Sequence, residues 1–212
     1  MTDSDTTPQR RRPYTGSCHC GFVKYIIYLT VPPSPPPPSS RRDPNNNGRL
    51  RQHVYRCNCT TCHKLGLLHI RLPSPPDDFL LLSPLDPLRE LGDYQCFQKK
   101  LHFLFCRTCG ARCFTFAGEG EVVEREVPLS TDDARDGEKK TVWCPKQGWV
   151  EDGTRYLSVN GYTVDAGQEG LDWRVWTENK WVMYMDWLSG EDAHPVGEDR
   201  RRYDRPFPGG AY

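Results

Sequence analysis

The chain has 212 residues, with 28 Lys+Arg against 28 Asp+Glu, so no global field draws it to nucleic acid or an anionic membrane. A hydrophobic content of 36% with 19 prolines and 18 glycines suits one loop-rich globular domain rather than a compact helical protein. Met1–Arg12 is polar, and no stretch approaches the roughly 18 apolar residues of a membrane span, so the expected compartment is the cytoplasm, with the nucleus open. Ten cysteines in a reducing compartment point to metal or redox chemistry rather than a disulfide framework.

Residues 1–13 are expected to be a disordered lead-in, and the basic runs Arg10–Arg12 and Arg200–Arg202 to be solvated tail residues. The turn Gly16-Ser17-Cys18-His19-Cys20-Gly21 then runs into a β-branched and aromatic stretch, which predicts a strand at about 22–30. Residues 32–47 are proline-rich and end in three asparagines, a composition that makes an extended spacer without a core. Leu50–Arg56 should be a strand that delivers the chain to Cys57-Asn58-Cys59-Thr60-Thr61-Cys62. Further strands are predicted at Leu67–Leu72 and Phe79–Leu82. Leu91–Gln98 and Leu101–Phe105 read as a hairpin whose second arm enters Cys106-Arg107-Thr108-Cys109-Gly110, followed by a strand at Phe114–Phe116.

Residues 128–150 are charged and read as an insertion or long loop, and Tyr156–Asn160 as a strand. Alternation from Trp181 through Met183 and Met185 to Trp187 favours a hairpin with Trp173–Thr177, a helix being the alternative. Residues 189–212 are expected to form a flexible tail, leaving one domain over 14–188.

The cysteines sort by spacing. A C-x-C pair and a distant C-x-x-C pair, Cys18, Cys20, Cys106 and Cys109, supply the four thiolates of a closed structural zinc site. Cys57, Cys59 and Cys62 make a second, three-thiolate zinc site of catalytic type, either open at the fourth position or closed by a ligand such as His63. Cys96, Cys113 and Cys144 are expected to be buried or incidental thiols. His53, His69, His102 and His194 show no ligand spacing and read as packing or surface residues. Thus two zinc ions per chain are expected.

With the motifs Gly16-Ser17-Cys18-His19-Cys20-Gly21, Cys57-x-Cys59-Thr60-x-Cys62-x-Lys64-x-Gly66 and Phe105-Cys106-x-x-Cys109-Gly110 in that order, the chain resembles the glutathione-dependent formaldehyde-activating enzyme family, also called the CENP-V/GFA domain. Trp176–Trp181 is similar to that family's C-terminal strand region, so the likeness spans about residues 14–188. The resemblance implies a mainly β, Mss4-like tent of small antiparallel sheets stapled by zinc, with loop insertions. It implies structural zinc on Cys18, Cys20, Cys106 and Cys109 and catalytic-type zinc on Cys57, Cys59 and Cys62. It further implies a carbon–sulfur lyase that makes or cleaves an S-hydroxymethyl adduct between a thiol such as glutathione and a small aldehyde such as formaldehyde. Lys64 reads first as a surface lysine and otherwise as the candidate to steer a substrate carboxylate; no general base stands out, His63 and His19 being the candidates. The chain departs from the family in Asn58, where histidine is common, and in its two inserts. A non-catalytic zinc-binding interaction module on the same fold is the competing expectation.

Overall fold

The computed structural model describes residues 9–33, 51–128, 137–149, 154–189 and 202–206. The strands in chain order begin with β1 Arg10–Ser17, β2 Lys24–Val31, β3 His53–Cys57, β4 Leu68–Arg71, β5 Phe79–Ser83 and β6 Gly92–Tyr94. They continue with β7 His102–Phe105, β8 Phe114–Ala117, β9 Gly120–Pro128, β10 Gly137–Pro145, β11 Tyr156–Asn160, β12 Val182–Met185 and β13 Arg202–Tyr203. Among the described residues four short α-helices, α1 Thr60–Leu65, α2 Pro75–Asp78, α3 Pro87–Glu90 and α4 Trp173–Glu178, and one 3-10 turn, Gly161–Thr163, interrupt them. The protein is therefore mainly β, consistent with a small β-rich Mss4-like fold.

The strands form two sheets, ordered β1-β2-β5-β10-β9 and β13-β12-β3-β4-β11-β8-β7-β6. The pairings are antiparallel except for β12 against β3, which run parallel with Met185 opposite Cys57. Aromatic side chains join the sheets. Phe79 of β5 meets Phe114 of β8 at 5.0 Å between ring centroids, and Trp143 of β10 meets Phe116 of β8 edge-on at 5.1 Å. Alternation along these strands sends such rings inward, where burial and edge-to-face contact both stabilise the layer.

Several expectations are corrected. Arg10–Pro13 belong to β1, paired with Tyr28–Val31 of β2, because the antiparallel register continues past Pro13. Residues 137–145 form no loop: Gly137–Pro145 pair residue for residue with Gly120–Pro128, and the buried end, Val142–Cys144, anchors that hairpin to the core. Trp173–Glu178 is the helix rather than the hairpin arm. Asp172 caps it by accepting from the backbone N–H groups of Arg174 and Val175, and Trp176 is wholly buried. Lys180, at φ 58°, turns the chain so that β12 pairs with β3 instead. Arg202–Tyr203, placed in the expected tail, pair with Tyr184 and Met185 of β12. Most of the proline-rich insert, 34–47, lies outside the described residues. Among the described residues no helix is long and apolar enough to cross a membrane.

Candidate functional site

Both thiol clusters sit where a strand ends in a tight turn. In the first, Cys18 and Cys20 lie in the β1–β2 connection and Cys106 and Cys109 in the turn after β7. Gly21 and Gly110 take φ 77° and 75°, and each donates its N–H back to the first cysteine of its motif, 3.0 Å to the Cys18 carbonyl and 2.8 Å to that of Cys106. These two glycines permit turns tight enough for both sulfurs of a pair to face one way. The four sulfurs lie within 4.8 Å of one another, with 3.5 Å between Cys18 and Cys20 and between Cys20 and Cys106. An ion ligated tetrahedrally at about 2.3 Å per sulfur sets its ligands about 3.8 Å apart, so the four positions fit one metal ion.

The backbone already supports negative charge there. The Ala111 N–H, the largest influence on the Cys109 thiol, holds it down to about 6. The Val23 N–H donates to the Cys18 sulfur at 3.2 Å. Cys20 is pulled down by the Phe22 N–H, but the Cys106 thiol and burial outweigh this and leave it at about 12. Because β1–β2 and β7 belong to different sheets, an ion held by these four cysteines would tie the two sheets together.

The second cluster is built by β3 and α1. Cys57 ends β3, Cys59 is the N-cap of α1, and Cys62 lies in its first turn. The cap geometry makes the Cys59 sulfur accept from the Cys62 N–H at 3.4 Å, and the Cys59 N–H faces the Cys57 sulfur at 3.5 Å. Gly66, at φ 62°, ends the helix by returning its N–H to the Cys62 and His63 carbonyls. All three sulfurs fall within 4.8 Å of one another, so this set too can hold a metal ion. The neighbouring Cys57 and Cys62 thiols, then the N–H groups of Cys62 and Thr61, lower the Cys59 thiol to about 2, while hydrogen bonding among the thiols, with burial, pushes Cys57 and Cys62 up. A dication bound among the three would take the place of the protons they share.

Asn58, between two of these cysteines, is buried and pins the turn to the end of β12. Its N–H donates to the Met185 carbonyl at 3.1 Å, its side-chain amide donates to the Asp186 carboxylate at 2.6 Å, and its carbonyl accepts from the Trp187 N–H at 2.7 Å. Asn160 does similar work between the clusters. Its side chain accepts from the Leu68 N–H at 3.1 Å and donates to the carbonyls of Gly66 and Arg112 at 3.3 and 2.9 Å.

A cavity of about 880 Å³ opens on the second cluster. Cys57, Cys59 and Cys62 line it beside Tyr55, His69 and Tyr156. Arg71, almost fully buried, stacks its guanidinium 3.9 Å over the Tyr156 ring, and Lys100, Arg155 and the highly exposed Phe97 complete another part of the wall. No Asp or Glu is among the described lining residues. Tyr55 and Tyr156 share a hydroxyl–hydroxyl hydrogen bond of 3.0 Å, and burial drives the Tyr55 phenol well above its ordinary value, which keeps it an O–H donor at neutral pH.

The sequence-level site residues divide accordingly. The seven ligand-candidate cysteines come together as two clusters. His63, Lys64 and His19 are exposed and do not line the cavity, so none of them serves it as placed. His69, read from sequence as a packing residue, stands against the site. Its Nε2 is 3.2 Å from the Cys62 sulfur, its Nδ1 is 2.8 Å from the Ser158 hydroxyl, and its ring stacks on Tyr55 at 4.7 Å between centroids. Burial, the largest influence, lowers its pKa to about 3, so the imidazole is neutral. The available signal was the β3–β4 register, which sets Tyr55 opposite His69 and leaves both on the face of Cys57. Cys96 also lines the cavity, with its sulfur 3.9 Å from the Thr61 hydroxyl, whereas Cys113 and Cys144 are buried as expected.

No family model matches the chain. A crystal structure of a Rhodobacter sphaeroides protein is similar at 17% sequence identity and a TM-score of 0.29, over 66% of this chain and 93% of that one. At that level the likeness carries no argument about function.

Proposed function

We propose that the protein is a zinc-dependent carbon–sulfur lyase-type enzyme that joins a thiol to a small aldehyde, or cleaves the resulting S-hydroxymethyl adduct, at the Cys57, Cys59 and Cys62 centre. The observation that carries the reading is a three-sulfur cluster lining a substrate-sized cavity, with no fourth Cys, His, Asp or Glu grouped with it among the described residues. Cys18, Cys20, Cys106 and Cys109 would hold a second zinc ion of structural role. Sulfur-only ligand sets favour zinc over magnesium or calcium, which take oxygen. Bound on three thiolates, zinc would supply Lewis acidity at its remaining position.

The protein's own groups contribute orientation and proton placement. In the addition, a C–S bond forms, the carbonyl π bond becomes a C–O single bond, and the thiol proton ends on that oxygen, with no net oxidation. The Tyr55–Tyr156 hydroxyl pair lines the cavity, and one of its O–H groups would donate to a carbonyl oxygen bound there. Arg71, Lys100 and Arg155 suit a thiol that carries carboxylates, such as glutathione. Holding both reactants in one cavity raises their effective concentration, a contribution reaching orders of magnitude when the geometry is good.

The test is a panel of thiols and aldehydes assayed with wild type and Cys59→Ser, the uncatalysed rate subtracted. Thiol-dependent turnover in the wild type that disappears in Cys59→Ser supports the reading. No turnover above background with any pair, in protein that carries the metal, overturns it in favour of a binding module.

A further inference from the structure

The Cys57, Cys59 and Cys62 centre has a buried hydrogen-bond line behind it that runs to β11. Ser158 lies in the middle of β11, 2% exposed, and its hydroxyl is 2.8 Å from His69 Nδ1. On the other side of the ring, Nε2 is 3.2 Å from the Cys62 sulfur. The ring has little freedom to turn away. It is 4% exposed, stacked on Tyr55, and carried by β4, whose Ile70 and His69 pair with Val159 and Asn160 of β11. His69 stands outside the group of mutually close ligand atoms and contacts it through Cys62.

We propose that His69 is a positioning residue for this centre, donating from Nε2–H to the Cys62 thiolate while Nδ1 accepts from the Ser158 hydroxyl. The inference rests on the metal reading given above. The tautomer follows from the chemistry: a metal-bound thiolate has no S–H to give, so Nε2 must carry the proton and Nδ1 is left as acceptor. Three thiolates on a dication leave a net charge of −1, set here against the apolar wall of Tyr55, Met183 and Met185 on one side and the cavity on the other. A hydrogen bond from His69 draws electron density from one of those sulfurs. The sulfur then becomes a weaker nucleophile toward outside electrophiles, and the ion keeps more of its Lewis acidity for the remaining position. The Ser158 bond fixes the ring so that this donor stays aimed at Cys62.

The test uses zinc-loaded protein and its cobalt(II)-substituted form. His69→Phe retains a ring of similar shape against Tyr55 but has no donor. His69→Gln keeps an N–H at a comparable reach, and Ser158→Ala removes the acceptor's partner. In the cobalt form, His69→Phe is expected to shift the sulfur-to-metal charge-transfer band to lower energy. In the zinc form it should speed alkylation of Cys62 by iodoacetamide and weaken retention of one of the two ions against a chelator by about 10- to 100-fold, the range for outer-shell partners of metal ligands. His69→Gln should recover part of each change, and Ser158→Ala should show the same direction at smaller size. A merely structural role would lower stability without moving the charge-transfer energy. An unshifted band and wild-type Cys62 alkylation in His69→Phe, with two ions bound, overturn the role of His69 alone. Failure of the wild type to bind an ion at Cys57, Cys59 and Cys62 overturns the metal reading beneath it.

Discussion

Replacing Asn58 with alanine is the most informative perturbation of the turn that carries the second cluster. Asn58 is 1% exposed, and its side chain makes one hydrogen bond to the Asp186 carboxylate and accepts one from the Trp187 N–H. Losing a hydrogen bond to a charged group costs about 1.5–3 kcal/mol, and stranding a buried backbone N–H costs about 1–3 kcal/mol. Asp186 keeps the Leu188 and Ser189 N–H groups on the same oxygen, which places the expected loss nearer the lower ends, at about 3 kcal/mol. Urea unfolding of metal-loaded wild type and Asn58→Ala measures it, read as a midpoint shift at constant slope. Asn58→Asp provides the signed control. It sets a second carboxylate against Asp186, so like-charge repulsion destabilises it most at neutral pH, and the deficit relative to Asn58→Ala narrows as the pH falls and one carboxyl takes a proton. A loss below about 1 kcal/mol for Asn58→Ala, or a pH-independent Asn58→Asp, would refute the account of how this turn is held.

Other outcomes follow from the same structure. Cys109→Ser removes one of the four sulfurs that link the two sheets, so it should abolish cooperative unfolding or lower Tm far more than Cys59→Ser, as differential scanning calorimetry would show. Phe116→Ala should cost about 3–5 kcal/mol in chemical denaturation, because its wholly buried ring packs edge-on against Trp143. The depressed pKa of His69 also has a pH signature. Between its unfolded value near 6.5 and about 3 the unfolded chain binds a proton that the folded chain refuses, so stability drops as pH falls through that window. Comparing wild type with His69→Phe from pH 7 to 5 should show a shallower decline in the variant; equal slopes would count against the buried neutral imidazole.

Features set by short spacing were legible from the residues. Each thiol pair or triplet spans at most six residues, and a glycine next to the first cluster's pairs announces the tight turn that aims the sulfurs. Most strands were legible too, from alternation and β-branched content at β2, β4, β8 and β11. The failures share an origin in strand pairing, local for β10 and long-range for β12, which supplies what the residue pattern of a single segment lacks. The charged face of β10 reads as a loop because only its last residues are buried, and β9 across the hairpin satisfies its backbone. The Trp173–Trp187 stretch reads as a hairpin because the parallel partner of β12 is β3, more than a hundred residues earlier. His69 joins the cluster through strand register, and Asn58 reaches Asp186 across 128 positions, so no local motif reports either.

The central claim is that the chain carries two metal centres of different kind, and a metal count tests it most directly. Elemental analysis of purified protein is expected to find two zinc ions per chain in the wild type, and one in Cys59→Ser that still unfolds cooperatively. One ion per chain in the wild type, unchanged by Cys59→Ser, would contradict the account.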